Sequence, residues 1–355
     1  MQPRASDRQR PLRPWPRSAL VAIVVATAAG CGRPAGSIFD TTVDLQWPAG
    51  AERARIRYVG VIESDVDLAP ARSFLQDLGA AVFGAASAHT MLTPFDVCTD
   101  DGSRVFVCDS NGQLVHVFDL DRRTYDQWRP AGDGVFAQPV SIAWDPAGRL
   151  LVADSVAGTL FAFHAGRPHG EALGSAALAR PCGVAVDRRT SRIYVADAGH
   201  HAEVVLDAAG NEIDRIGGRG TTLGKFNYPT NVAIDRDGRV YVTDTLNFRV
   251  QVFEPDGRPL RQIGSHGDLP GYFSRPKDLA LDADGHLYVI DAHFESVQIF
   301  DSGGTLLLSF GEEGTGPGQF WLPSGIHIDS NQRIWIADSY NRRVQVFEYL
   351  PEASP

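Results

Sequence analysis

The stretch Val232-Ala-Ile-Asp-Arg-Asp-Gly-Arg-Val-Tyr-Val-Thr-Asp244 decides how this chain is read. Two β-rich runs flank an Asp-Gly pair, the signal of a tight antiparallel hairpin. The pattern returns as Leu279-Ala-Leu-Asp-Ala-Asp-Gly-His-Leu-Tyr-Val-Ile-Asp291. Aligned on the closing Asp, it recurs at Asp109, Asp154, Asp197, Asp244, Asp291 and Asp338, with spacings of 45, 43, 47, 47 and 47 residues. A proline precedes each copy: Pro94, Pro139, Pro181, Pro229, Pro276 and Pro323. A fixed period of this length marks a repeat architecture.

Each unit continues with a polar loop and a third strand, as in Val250-Gln-Val-Phe-Glu254 and Val344-Gln-Val-Phe-Glu348. A fourth strand ending in glycine follows, as in Leu260-Arg-Gln-Ile-Gly264. A Gly-x-Phe-x-x-Pro segment then leads into the next copy. Four antiparallel strands per unit, repeated six times, predict an all-β fold, a six-bladed β-propeller. One unit cannot bury both faces of its sheet; radial packing does. The last unit stops at Phe347-Glu-Tyr-Leu350 without a fourth strand. Arg55-Ile-Arg-Tyr-Val-Gly60 has the fourth-strand pattern and is predicted to close the ring. Leu68, Phe74, Leu75, Leu78 and Val82 lie near helical spacing behind Pro70, which predicts a short helical insertion over 66–84.

Pro-x-x-apolar, Asp-x-x-Gly, apolar-Ala-Asp and then Asn-x-Arg-Val-Gln-Val-Phe resemble the NHL repeat. The last element stands here as Asn247-Phe-Arg-Val-Gln-Val-Phe253 and Asn341-Arg-Arg-Val-Gln-Val-Phe347. The resemblance spans about residues 55–348. It is strong in the last three units; in the first three, Asn and Arg are replaced. It implies the propeller fold and leaves the function open, since one fold hosts many activities.

The first 31 residues carry Arg4, Arg8, Arg10, Arg13 and Arg17, then the apolar run 18–29. That run is short for a membrane span and suits the core of an export signal. It ends in Ala28-Ala29-Gly30-Cys31, which resembles the lipobox of bacterial lipoproteins, with Ala28 in place of the usual Leu. The resemblance implies lipidation of Cys31 and anchoring in the envelope, at the outer membrane or its periplasmic face. Domain organisation then reads 1–31 signal and lipobox, 32–54 tether, 55–350 propeller and 351–355 tail. Beyond residue 31 the chain holds 28 basic and 42 acidic side chains. Nucleic-acid binding needs clustered cations and is excluded as a class.

Candidate chemistry comes from positions where the repeat breaks. Two residues after each proline stand Asp96, Ser141, Gly183, Asn231, Asp278 and Gly325. At the start of an inner strand these face the mouth of a central channel. Asp96, Asp278 and Asn231 would supply hard oxygen donors suited to Ca²⁺. The loops after the repeated Asp add His200, His293, Asn247, Asn341 and Arg342 to the same face. Together with Asp96, Ser141, Asn231 and Asp278 they form the candidate binding set. No catalytic residue is assigned and no cofactor is certain. The repeated Asp itself is read as an acceptor for loop N–H groups. His327 replaces a small inner-strand residue and is read as hydrogen-bonded in the core. Glu203 stands where other units have Val or Leu, so it needs a partner or a local shift that exposes it. Cys98 and Cys108, on facing strands, are read either as a disulfide or as two buried thiols.

Peptidyl-hydroxyglycine lyases are similar six-bladed propellers with zinc on three His. The matching positions here are Phe95, Val140, Cys182, Thr230, Lys277 and Ser324, none of them His. The favoured expectation is a binding module for an envelope protein, peptide or glycan. The alternative is a Ca- or Zn-dependent lyase or hydrolase at the channel mouth.

Overall fold

A computed structural model describes residues 38–39, 42–50, 53–68, 88–100, 102–164 and 166–351. Cys31, the export segment and most of the expected helical insertion lie outside these residues. Of the insertion only Asp65–Leu68 is seen, as a single 3-10 turn with Leu68 buried.

The inner strands are Pro94–Thr99, Pro139–Asp145, Pro181–Asp187, Pro229–Ile234, Pro276–Leu281 and Pro323–Ile328. Each begins a four-stranded antiparallel unit, referred to below as the first to sixth blades. Consecutive inner strands pack side by side and the sixth packs on the first. The fold is an all-β propeller. The outer strands of the first two blades, Thr124–Pro130 and His169–Ala172, also pair with each other in parallel and merge these blades into one sheet.

The ring closes as the sequence predicts. Ile56–Ile62 pairs antiparallel with Arg343–Tyr349, from Ile56 opposite Tyr349 to Ile62 opposite Val344. Residues 42–50, expected to be tether, belong instead to the packed structure. Gln46–Trp47 adds a further strand outside Ile56–Ile62. The Trp47 ring lies 5.8 Å from those of Phe310 and Phe347.

Each blade interface holds its own apolar cluster. The Phe of the Gly-x-Phe-x-x-Pro segment is fully buried at Phe136, Phe226, Phe273 and Phe320. Its ring explains the glycine ending the fourth strand. A Cβ on Gly217, Gly264 or Gly311 would collide with Phe226, Phe273 or Phe320, and all three glycines have positive φ.

Two expectations change. Cys98 lies opposite Phe106, and Cys108 opposite Asp96. The cysteines are diagonal rather than directly opposed, and both are buried free thiols. A bulge between Pro94 and Asp96 shifts the register. Glu203 is neither paired nor exposed. It is fully buried between Ala196 and Ile216, and both carboxylate oxygens lack a hydrogen-bond partner among the described residues.

Burial, reinforced by the charge of Asp197, pushes the Glu203 carboxyl well above its ordinary value. A folded-state pKa above the unfolded one gives a contribution complete below about pH 4.3. That contribution is lost as pH rises through the folded value. Glu203→Val, restoring the residue of the other blades, should raise stability by about 1–3 kcal/mol near neutrality. Urea denaturation at pH 5 and pH 8 checks this, and the gap between variant and parent should widen at pH 8.

Candidate functional site

The inner strands all start with a bulge, at Pro94/Asp96, Pro139/Ser141, Pro181/Gly183, Pro229/Asn231, Pro276/Asp278 and Pro323/Gly325. A bulge re-aims the side chain that follows it. Here it turns that side chain sideways, toward the next blade. Asp96 Oδ2 accepts from Ser141 Oγ at 2.8 Å and from Ile142 N at 2.9 Å. Ser141 Oγ in turn accepts from Val184 N at 3.2 Å. Asn231 Nδ2 donates to Asp278 Oδ1, and Asp278 Oδ2 accepts from Ile326 N at 2.7 Å. Gly183 and Gly325 complete the belt by close approach. A Cβ would come within 2.5 Å of the Asn231 Cα or 2.6 Å of the Asp96 Cα.

Asp96, Ser141, Asn231 and Asp278 are thus brought together, but as an inter-blade clasp rather than a ring of solvated groups. The second oxygen of each acid is also engaged. Val97 N donates to Asp96 Oδ1 at 2.8 Å, and Leu279 N to Asp278 Oδ1 at 2.6 Å. A Ca²⁺ ion would have to displace these donors. Among the described residues no group of three or more His, Cys, Asp or Glu converges in a way that could hold a metal.

The six repeated acids are likewise spent on structure. Asp154 accepts from the backbone N–H groups of Ala137, Gln138, Val156 and Ala157. In the fourth blade Asp244 takes Asn227 N, Asn247 Nδ2, Arg249 Nε and Gln251 Nε2. Asp338 repeats this with Trp321 N, Asn341, Arg343 and Gln345. Asn247 and Asn341 also donate to the carbonyls of Gly220 and Gly314. Both are loop braces rather than free ligand contacts. His200, His293 and Arg342 are exposed, on loops of the third, fifth and sixth blades. His200 Nδ1 lies 2.7 Å from Asp197 Oδ2. His327 is hydrogen-bonded, with Nε2 3.0 Å from Thr99 Oγ1, but it is half-buried beside a channel cavity rather than in the core.

The clasp forms a neck between two cavities. Toward the strand ends that carry the hairpin turns is a space of about 190 Å³, lined by Trp144, Arg188 and His327 among others. Toward the loop face is one of about 150 Å³, lined by Phe95, Gln138, Val140, Arg180, Cys182 and Lys277 above the two acids. A larger groove of about 1030 Å³ runs along the hairpin-turn face. Its Asp235, Asp282 and Asp329 accept hydrogen bonds from their own turns, so these acids are committed to the fold.

The loop-face cavity holds what the sequence reading passed over. Lys277 is half-buried, with Nζ 4.1 Å from the centroid of the Phe95 ring. Burial lowers its pKa to about 8, against the opposing pull of Asp278. Burial raises Asp96 to about 6, while the N–H of Ile142 and the hydroxyl of Ser141 hold it down. Asp278 is raised well above its ordinary value by burial and by the charge of Asp96. Burial raises the Cys182 thiol to about 11, opposed by Arg180. Loops of the same face expose Val135, Val156, Tyr228, Leu246, Leu269, Tyr272, Trp321 and Tyr340, none of which lines the cavity. Trp321 and Tyr340 form a pair with ring centroids 5.5 Å apart. One signal had been available: the chain has only two lysines, Lys225 and Lys277.

The NHL repeat family model matches residues 226–253 and 320–347. The chain carries NHL repeats in its fourth and sixth blades. No curated protein sequence matches the chain. Among solved structures, a protein of unknown function from Bacteroides thetaiotaomicron superposes with TM-score 0.60 at 16% identity, over 74% of this chain and 70% of that one. An auxiliary nutrient binding protein from the same organism gives 0.59 at 12%, over 73% and 69%. Virginiamycin B lyase from Staphylococcus aureus gives 0.55 at 12%, over 73% and 96%. At these identities the likeness is one of fold.

Asp96→Ala would orphan the donors of Val97, Ser141 and Ile142 and open the first blade against the second. The expected loss is about 1–3 kcal/mol of stability, read by urea denaturation. Metal content measured by mass spectrometry should not change with it.

Proposed function

We propose that this chain is an exported binding module of the bacterial envelope, anchored through a lipid on Cys31, whose loop face takes a protein, peptide or glycan partner. The observation that carries this reading is the exposed apolar rim of that face. Trp321, Tyr340, Tyr228 and Tyr272 are exposed with Val135, Val156, Leu246 and Leu269 on the loops of that face. Aromatic side chains offer large contact area with a polar tip at low ordering cost, and they are enriched where proteins meet partners. Grouped exposed apolar side chains on a soluble fold mark interaction sites.

Binding is favoured over catalysis because the buried acids beneath the rim already hold neighbouring strands together. The auxiliary nutrient binding protein with the same fold is consistent with such a role. The arginine-rich start, the apolar run and Cys31 support export and anchoring, at the outer membrane or its periplasmic face. No helix among the described residues is long and apolar enough to cross a membrane.

Arrays of envelope oligosaccharides and peptides probed with the purified chain test the reading. Trp321→Ala and Tyr340→Ala should each weaken the strongest array signal by about 2 kcal/mol, or about thirtyfold in Kd. Their unfolding midpoints should not move. Leu307→Ala, on an outer strand away from the rim, should leave binding unchanged. Equal effects from all three variants, or none, would overturn the assignment of the face. Cys31→Ser should move the chain from the membrane fraction to the soluble fraction of cells.

A further inference from the structure

The ammonium of Lys277 stands out among the described cations. It reaches across the neck from the fifth blade to the Phe95 ring of the first. Among the described residues it makes no hydrogen bond or ion pair, although an ammonium carries three donors. Asp96 and Asp278, the nearest acids, turn their oxygens toward strand N–H groups instead. Arg180, exposed at the rim of the same cavity, adds a second cation. Gln138 lines the wall, and no hydrogen bond from its amide nitrogen is made to a described residue. The hydroxyls of Thr230 and Ser324 cannot serve a ligand as readily, because they donate across to the carbonyls of Lys277 and Phe95 at 2.7 and 2.6 Å. The donors left over therefore belong to Lys277, to Gln138 and to the part of the Arg180 guanidinium not turned to the Cys182 thiol. They surround a cavity of about 150 Å³, the volume of about five water molecules.

Unspent donors with positive charge in a small space half-closed by Phe95 and Val140 call for an anion. A carboxylate matches the size and takes charge-assisted hydrogen bonds from both ammonium and guanidinium. We propose that this cavity is a carboxylate-binding site, with Lys277 and Arg180 as its counter-ions and the aromatic rim carrying whatever the carboxylate is attached to. This rests on the reading of the loop face as the binding face. The carboxylate belongs to a free small acid or to the acidic end of a longer chain lying on the rim.

The charged groups facing Lys277 are Asp96, Asp278, Cys182, Arg180 and Arg275. With Lys277 titrating near 8, the ammonium is lost between pH 7 and pH 9, while an acid with a pKa near 4 stays ionised throughout. Carboxylate affinity should fall about tenfold across that interval.

Calorimetric titration of the full chain with lactate, galacturonate and trigalacturonate, at pH 7 and pH 9, tests the proposal. Lactamide and galactose serve as neutral controls. The acids should bind and the neutral compounds should not, with the loss at pH 9 stated above. Lys277→Met should lower affinity at least tenfold, and Arg180→Met, at an exposed position, should lower it without disturbing folding. Lactate binding as tightly as trigalacturonate would assign a free acid; binding of trigalacturonate alone would assign the end of a chain. No binding by any acid, equal binding of lactamide, or unchanged affinity in both variants would overturn the site. The assignment of the rim would survive that outcome if Trp321→Ala still weakened the array signal.

Discussion

Every blade brings two loops to the same end, one before its inner strand and one after its second strand, and their N–H groups point at one buried carboxylate. At Asp291 the donors are Ser274, Arg275, His293 and Phe294. At Asp197 they are Ala179, Arg180, Gly199 and His200. Hydrogen bonds to a charged acceptor contribute about 1.5–3 kcal/mol each, against about 0–1 kcal/mol for an exposed ion pair. The ion pairs on the outer surface, such as Arg57 with Glu348, are therefore minor beside this arrangement. It fixes the loops that carry the exposed apolar side chains, so the shape of that face is set by the fold.

The blades satisfy this demand in different ways, which explains where the family pattern is recognisable. Asp244 and Asp338 each enlist an Asn, an Arg and a Gln from one strand entry. Those two blades are the ones matched by the NHL model. In the first blade His116 takes the Gln position, with Nε2 3.2 Å from Asp109. In the second, Asp154 receives backbone donors at both loops without that side-chain set. Sequence similarity fades because a backbone N–H can do what Asn or Arg does, and the backbone leaves no mark in the sequence.

Strand order, ring closure and the role of the repeated acid were legible because each is carried by a period. Of the six positions after the bulge, Asp96, Asn231 and Asp278 line both channel cavities, but that their polar atoms also bridge the blades was not legible. Periodicity places Asp96 and Asp278 at the channel, while the direction of a side chain after a bulge depends on a local backbone shift that no residue type announces. Of the two readings of Cys98 and Cys108 the structure has the buried thiols, because the strand register sets Cys98 opposite Phe106, two residues from Cys108. Glu203 was recognised as anomalous from its Val and Leu counterparts. A search for partners could not foresee that it has none. Lys277 was seen only as a position lacking His. Its isolation in a cavity depends on Phe95, from a blade distant in sequence.

The neck also sets the charge around Lys277. Burial raises the pKa of both carboxylates, and the charge of Asp96 raises Asp278 further, since ionising both in a low dielectric is costly. The raised Asp278 carries less negative charge at neutral pH than its residue type suggests. The charge that remains on Asp96 is dispersed over three donors. Burial works against the charge of both acids while the clasp's donors support it, and the charge that remains supports the Lys277 ammonium. Its own ammonium, depressed only to about 8, still predominates near neutrality. The bonds that clasp the blades therefore also set the charge of the two acids that face Lys277, and a change to the clasp would alter stability and the state of that ammonium together.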